Sequence, residues 1–237
     1  MCIRDSFRER GVILENGGKK EKISLFRFIR LFAGFFIGAT GTVFMINANI
    51  GVAPWDVLHI GISQKLGITI GQASIMVSLM VIILDQISGE YIGWGTVLNM
   101  IFFGLFIDLI MYLDFVPHTN GFLMSVFMVI MGLTLLSICM WWYIGAAMGS
   151  GPRDGMMLLF HRRTGKPIGF IRSCIEVIVL IIGYFLGGPV GIGTIISAFG
   201  MGVVMRIVFK IVKFDAKEVK HKYIEFLISK DKRENIG

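Results

Sequence analysis

The segment Gly51-Val-Ala-Pro-Trp-Asp56 follows the first long apolar stretch, and Gly149-Ser-Gly-Pro-Arg-Asp154 repeats its Gly-x-x-Pro-x-Asp pattern 98 residues later. At this offset the sequence aligns with itself without gaps, matching positions 51–104 with positions 149–202. Thirteen of the aligned positions are identical, and seven of these are glycine on glycine. Chance would give about one glycine match, since the chain has 30 glycines in 237 residues. The pattern therefore indicates an internal duplication.

The composition is that of a membrane protein. Apolar residues make up 55% of the chain, charged residues 16%, and the mean hydropathy is +0.76. A soluble domain usually has about 25% charged residues. Six apolar stretches are long enough to cross a bilayer as helices. We predict an all-α, multi-pass protein with spans near Phe28–Ile46, Ile68–Ile87, Trp94–Leu113, Phe122–Tyr143, Ile168–Leu186 and Ile192–Ile211.

Lysine and arginine are concentrated before the first span, between the fourth and fifth spans, and after the sixth. Basic segments stay in the cytoplasm, so this distribution predicts that both termini are cytoplasmic. We divide the chain into a cytoplasmic segment 1–27, a transmembrane domain 28–211 and a tail 212–237. The tail is predicted to be a basic amphipathic helix, either on the membrane surface or solvated. Met1–Ser6 match the translation of a sequencing-library adapter and are left out of the fold prediction.

Each copy of the duplication contains three spans, at about residues 28–113 and 122–211. Because three is odd, the second copy must cross the membrane in the opposite orientation to the first. The basic segments predict the same arrangement, since they put the first Pro-x-Asp segment outside and the second in the cytoplasm. The sequence therefore predicts two inverted three-helix repeats, an architecture common among transporters.

The paired motifs, Pro54-Trp-Asp-Val-Leu and Gly151-Pro-Arg-Asp-Gly-Met, each precede a conspicuous glycine, Gly67 or Gly165, and a further pair of helices. In these features the chain resembles the YczE/YyaS/YitT group of bacterial integral membrane proteins, from about residue 28 to residue 211. The resemblance implies a location in the bacterial plasma membrane. It provides no established catalytic residues.

The two motifs predict short helices over Pro54–Leu66 and Pro152–Thr164. Proline is favoured at the first position of a helix, and an aspartate in the first turn is stabilised by the free N–H groups there. Gly51 and Gly149 open the same motifs. One interpretation is a helix-start signal on an interfacial helix. The other is that the helices enter from opposite sides and that their N-termini, with Asp56 and Asp154, meet a solute near the membrane centre.

Ionisable residues within spans are functional candidates, because they are costly in a bilayer. Arg172 and Glu176 lie four residues apart on one helix face, as a candidate pathway pair or a pair that neutralises itself. Asp108 and Arg206 occupy equivalent repeat positions with opposite charges, which suggests either a structural pair or two unrelated interfacial residues. Asp85 is expected to be solvated at the end of the second span.

Two polar residues near the first motif complete the candidate pathway. Asn49 is a candidate solute ligand, or it ends the first helix. His59 lies one helical turn after Asp56, as a proton relay or as an ordinary interfacial histidine.

The chain has no His-Glu-x-x-His, Gly-x-Ser-x-Gly or Walker motif, so we expect no enzymatic activity, no cofactor and no metal. We predict a passive or ion-coupled transporter or channel for a small solute or ion. The alternative is a non-transporting membrane factor that supports a partner complex or a biosynthetic pathway. The expected partners are the lipid bilayer, a small solute or ion, and a second copy in a homodimer, but not nucleic acid.

Overall fold

The computed structural model describes residues 11–16, 19–88, 93–119, 121–146 and 151–214. A short antiparallel hairpin, β1 and β2, precedes eight helices in these residues. The elements are β1 (Gly11–Asn16), β2 (Lys19–Ser24), α1 (Leu25–Asn47), α2 (Pro54–Leu66), α3 (Ile70–Ile87), α4 (Trp94–Leu113), α5 (Phe122–Ala146), α6 (Pro152–Thr164), α7 (Ile168–Phe185) and α8 (Ile192–Ile211).

The prediction of six membrane-spanning helices is confirmed. By length and composition, α1, α3, α4, α5, α7 and α8 can each cross a bilayer. Their bounds differ from the predicted ones by three residues at most, and both short helices have the predicted bounds. Large apolar side chains such as Phe199 and Leu123 remain exposed on the bundle surface, as lipid contact requires. The hairpin was not predicted, and the predicted tail lies outside the described residues after position 214.

Both short helices end at a glycine in the left-handed conformation. Gly67 has φ +66° and Gly165 has φ +68°, a region that residues with a Cβ atom rarely adopt. The turn that follows is closed in the same way in both copies. Ser63 Oγ donates to Ile68 O at 2.6 Å, and His161 Nδ1 lies 2.7 Å from Lys166 O. The two conspicuous glycines of the sequence are therefore helix terminators.

The helices α1 and α5 cross at the centre of the bundle with their backbones in contact. A Cβ atom at Gly41 would lie 2.7 Å from Gly132 O, and one at Gly132 would lie 2.6 Å from Gly41 O. Contacts this short leave space only for glycine. The Met45 side chain, one turn after Gly41 on α1, also contacts this point, since a Cβ atom at Gly132 would lie 2.5 Å from Met45 Cγ.

Each short helix packs against a spanning helix of the other copy. The helix α2 packs on α7, and α6 packs on α3. The pairs α1–α4 and α5–α8 are likewise equivalent under the 98-residue offset. The short helices α2 and α6 therefore join the two copies to each other.

Candidate functional site

A cavity of about 210 Å³ lies between the two copies. Its lining includes the N-terminal turn of α2, with Trp55 and Asp56, and that of α6, with Arg153. The remaining walls come from α1, α3, α4, α5, α7 and α8. The cavity is therefore reached by every spanning helix of the bundle.

The lining follows the duplication closely. For eight pairs of positions 98 residues apart, both members contact the cavity. The pairs are Thr42 and Met140, Ala53 and Gly151, Trp55 and Arg153, Ser74 and Arg172, Ser78 and Glu176, Asn99 and Ser197, Met100 and Ala198, and Phe103 and Met201. The cavity is thus built from equivalent surfaces of the two copies, but its chemistry is asymmetric. Arginine and glutamate in the second copy replace tryptophan and serine in the first.

The middle residues of the two Pro-x-Asp motifs, Trp55 and Arg153, both line this cavity and contact each other. The Arg153 guanidinium carbon lies 4.6 Å from the centre of the Trp55 ring, within the range of a cation–π contact. These residues occupy equivalent positions, so the N-termini of α2 and α6 face each other. Neither Arg153 nor Trp55 was predicted as a site residue, because the two copies of the motif differ at this position and share only the residues around it.

Arg172 and Glu176 form an ion pair on the α7 wall of the cavity. Arg172 Nε lies 2.9 Å from Glu176 Oε1, and the two side chains are 40% and 21% exposed. Both residues line the cavity. They also neutralise each other, which was the second interpretation of their spacing.

Asp56 lines the cavity, and His59 lies behind it, almost completely buried. His59 Nδ1 is 3.5 Å from Asp56 Oδ1, longer than a well-formed hydrogen bond. Neither ring nitrogen of His59 has a hydrogen-bond partner among the described residues. The buried His59 imidazole is therefore directly beside the Asp56 carboxylate, which faces the cavity.

The other predicted site residues lie at several places. Asn49 is exposed in the turn after α1, has φ +59° and is not among the residues that line the cavity. A Cβ atom at Gly51 would lie 2.5 Å from Gly191 N, so this turn packs on the start of α8. Pro54 occupies the first position of α2 and contacts the cavity.

In the second motif, Pro152 and Asp154 lie in the first turn of α6, but their side chains are outside the described part of the structure, as is Gly149.

The first two turns of α2 are buried on all sides, from Pro54 to Gly61. A helix lying at a membrane interface would leave one face exposed to water. The burial of α2 therefore favours the interpretation in which its N-terminus lies inside the bundle. The second half of α2 is progressively exposed and ends at Gly67.

The expectation that Asp85 is solvated was wrong. Asp85 is buried, at 4% exposure, because α6 folds back against α3. A Cβ atom at Gly155, in the first turn of α6, would contact the Asp85 carboxylate. The first turn of a helix favours negative charge. Spacing along α3 could not indicate this position, since the helix that covers Asp85 comes much later in the chain.

Within the described residues, no group of three or more His, Cys, Asp or Glu side chains could hold a metal ion. The cavity is lined by charged and polar side chains, with aromatic and methionine residues among them.

Comparisons with known proteins support the membrane assignment. Similar proteins include the uncharacterized membrane protein YczE of Bacillus subtilis (strain 168), 31% identical over 184 residues that cover 76% of this chain and 84% of YczE. An uncharacterized protein of Haemophilus influenzae is 32% identical over 78% of this chain and 83% of its own length. The uncharacterized protein YyaS of Bacillus subtilis is 27% identical over 76% of this chain and 90% of YyaS. No solved structure matches.

The resemblance to YczE and YyaS that the motifs suggested is thus confirmed. The model of the family of unknown function DUF6198 matches residues 25–210, from the start of α1 to the last turn of α8. This multi-pass membrane protein belongs to the DUF6198 family.

Proposed function

We propose that the protein moves a small solute or ion across the bacterial plasma membrane, as a passive or ion-coupled transporter or channel. The observation that carries the proposal is the cavity between the two copies, which contains Asp56, Arg153, Arg172 and Glu176. Charged side chains inside a membrane protein are costly and usually mark a solute or proton path. Large apolar side chains such as Ile195 and Phe199 are exposed on the outside of the bundle.

The inverted orientation of the two copies is part of the proposal. Three spans in each copy and the distribution of lysine and arginine support it, with both termini in the cytoplasm. The reciprocal packing of α2 on α7 and of α6 on α3 is the pattern that a twofold axis in the membrane plane would produce. In this orientation α2 enters the bundle from outside and α6 enters from the cytoplasm.

The size of the cavity limits the solute. At about 210 Å³ it is slightly larger than an engineered cavity of roughly 150 Å³ that binds benzene. Charges of both signs on its walls favour a small polar or charged solute over an apolar one. Asp56 and His59 are the groups best placed to carry a coupling proton, because they are buried side by side next to the cavity.

Transport is tested by reconstituting the protein in proteoliposomes and measuring the flux of protons, small anions, amino acids and metabolites. Asp56→Asn and Glu176→Gln remove cavity charges at nearly constant volume and should abolish the observed flux. Asp114→Asn is the matched control, since Asp114 is exposed beyond the end of α4 and contacts His118. Wild-type flux in both cavity variants would contradict the proposal. A wild-type protein without any flux would favour the partner-factor function.

The orientation is tested at two equivalent exposed positions at the ends of the short helices, Lys65 and Arg163. Each is replaced by cysteine in a chain without other cysteines and labelled with an impermeant maleimide in intact cells. We expect labelling of Lys65→Cys from outside and of Arg163→Cys only after lysis. Labelling of both positions from the same side would exclude inverted repeats.

A further inference from the structure

The helices α3 and α4 are held together at one end by Asp108. Its Oδ1 accepts from the Gly71 N–H at 2.8 Å, and its Oδ2 accepts from the Thr69 hydroxyl at 2.6 Å. Beside these bonds the two helix backbones touch, since a Cβ atom at Gly71 would contact Gly104 O. The Asp108 carboxylate is therefore held by Thr69 and Gly71 of its own repeat, and a charge pair with Arg206 is not needed to explain its position.

The equivalent helices of the second copy, α7 and α8, do not pack together in this way. Gly169 and Gly202 correspond to Gly71 and Gly104, yet a Cβ atom at either one would meet no other described atom within 4 Å. Pro167 stands where Thr69 has its hydroxyl, and Arg206 stands where Asp108 has its carboxylate. Arginine has no hydrogen-bond acceptor, so it cannot replace that carboxylate at the start of α7.

The two copies differ in exposure at one equivalent pair of positions that line the cavity. The Arg172 side chain on α7 is 40% exposed, whereas its equivalent on α3, Ser74, is buried. At this point the α7 wall is therefore more exposed than the α3 wall, on the side where the glycines are apart.

A glycine within a helix lowers its stability by about 0.5–1 kcal/mol relative to alanine. In the first copy, the close contact of the backbones requires Gly71 and Gly104. In the second copy, no atom among the described residues requires glycine at position 202, which lies in the middle of α8. A second conformation in which α7 and α8 approach would require it.

We propose that α3–α4 and α7–α8 are two alternating gates of the cavity, and that Asp108 holds the first gate closed. In this structure the first gate is closed and the second is open. In the opposite state the Asp108 hydrogen bonds break, α3 and α4 separate, and Gly169 approaches Gly202. The second gate lacks equivalent hydrogen bonds, so the state described here is the more stable one. This inference rests on the proposed transport function and adds its gating residues.

The gates are tested by measuring distances between spin labels in the full-length protein in liposomes. Two equivalent label pairs are Ile68 with Tyr112 across the first gate, and Lys166 with Lys210 across the second. Cys2, Cys139 and Cys174 are replaced by alanine in this background. Asp108→Ala should add a longer distance across the first gate. It should also add a shorter distance across the second gate, with the same fractional population. Asp114→Ala is the control and should change neither.

A longer first distance without the shorter second distance would overturn the coupling of the gates. A second variant, Gly202→Leu, should fold with a thermal midpoint no lower than that of the wild type, since a Cβ atom at Gly202 meets no described atom within 4 Å and leucine favours a helix over glycine. Combined with Asp108→Ala, it should remove the shorter second distance, and by itself it should abolish flux. Unchanged distances and unchanged flux in Gly202→Leu would also overturn the inference. If the wild type transports nothing, the proposed function fails, and the label distances still decide whether the gates move together.

Discussion

The crossing of α1 and α5 provides a quantitative test of the packing. In Gly41→Ala the new methyl group would lie 2.7 Å from Gly132 O and 3.0 Å from Leu135 Cβ. Helix backbones on both sides limit the room for relaxation, and overpacking of this kind costs about 1–3 kcal/mol. Alanine also favours the helix by about 0.5–1 kcal/mol, which partly offsets this cost. We expect Gly41→Ala to lower the free energy of unfolding by about 0.5–2 kcal/mol.

Gly202→Ala is the matched control, since it makes the same chemical change in a spanning helix where the methyl group meets no other described atom within 4 Å. The propensity difference is common to both variants, so comparing them isolates the packing cost of about 1–3 kcal/mol. The assay is unfolding of purified protein by SDS in mixed micelles, followed by tryptophan fluorescence. Equal unfolding midpoints for Gly41→Ala and Gly202→Ala would refute the close crossing.

Two further predictions concern the turns and the proton site. Gly67→Ala should lower the free energy of unfolding by about 1–2 kcal/mol, because φ is +66° at this position. No described atom lies near the new methyl group, so the cost comes from the backbone conformation alone. A change near zero in the same SDS assay would contradict this account of the helix end. His59→Gln should abolish solute accumulation driven by a proton gradient while preserving solute exchange at zero gradient, because it removes the proton acceptor next to Asp56 and leaves the cavity charges unchanged. Proton-driven accumulation at the wild-type level in His59→Gln would exclude this residue from coupling.

Much of the secondary structure could be predicted from local signals. Hydropathy located six spans, and the motif Pro-x-Asp together with Gly67 and Gly165 gave the bounds of both short helices. These signals work because the cost of exposing polar backbone to lipid and the requirement for positive φ are properties of short segments. The hairpin β1–β2 was not predicted, because strands of six residues are too short to stand out by hydropathy, although Asn16-Gly17-Gly18 is a sequence typical of tight hairpin turns.

The candidate site was predicted only in part. Asp56, Arg172 and Glu176 were selected because ionisable residues within or beside apolar segments are conspicuous in the sequence, and all three line the cavity; their role in a solute pathway stays a prediction. Arg153 was missed, since a basic residue near the start of a short helix resembles an ordinary surface arginine until its contact with Trp55 is known. Asn49 does not line the cavity, because the turn that contains it leaves its side chain exposed.

The sequence by itself determined the membrane class, the duplication and the order of the helices, since these follow from composition and from a repeat that can be aligned. The contacts between residues of the two copies could be learned only from the tertiary structure. The helix α6 covers Asp85, Arg153 contacts the Trp55 ring, and Asp108 binds Thr69 and Gly71 of a neighbouring helix. These contacts join residues far apart in the chain, and their formation depends on backbone distances that no local pattern specifies. The difference between the closed α3–α4 pair and the open α7–α8 pair has the same origin, because equivalent glycines are in contact in one copy and apart in the other.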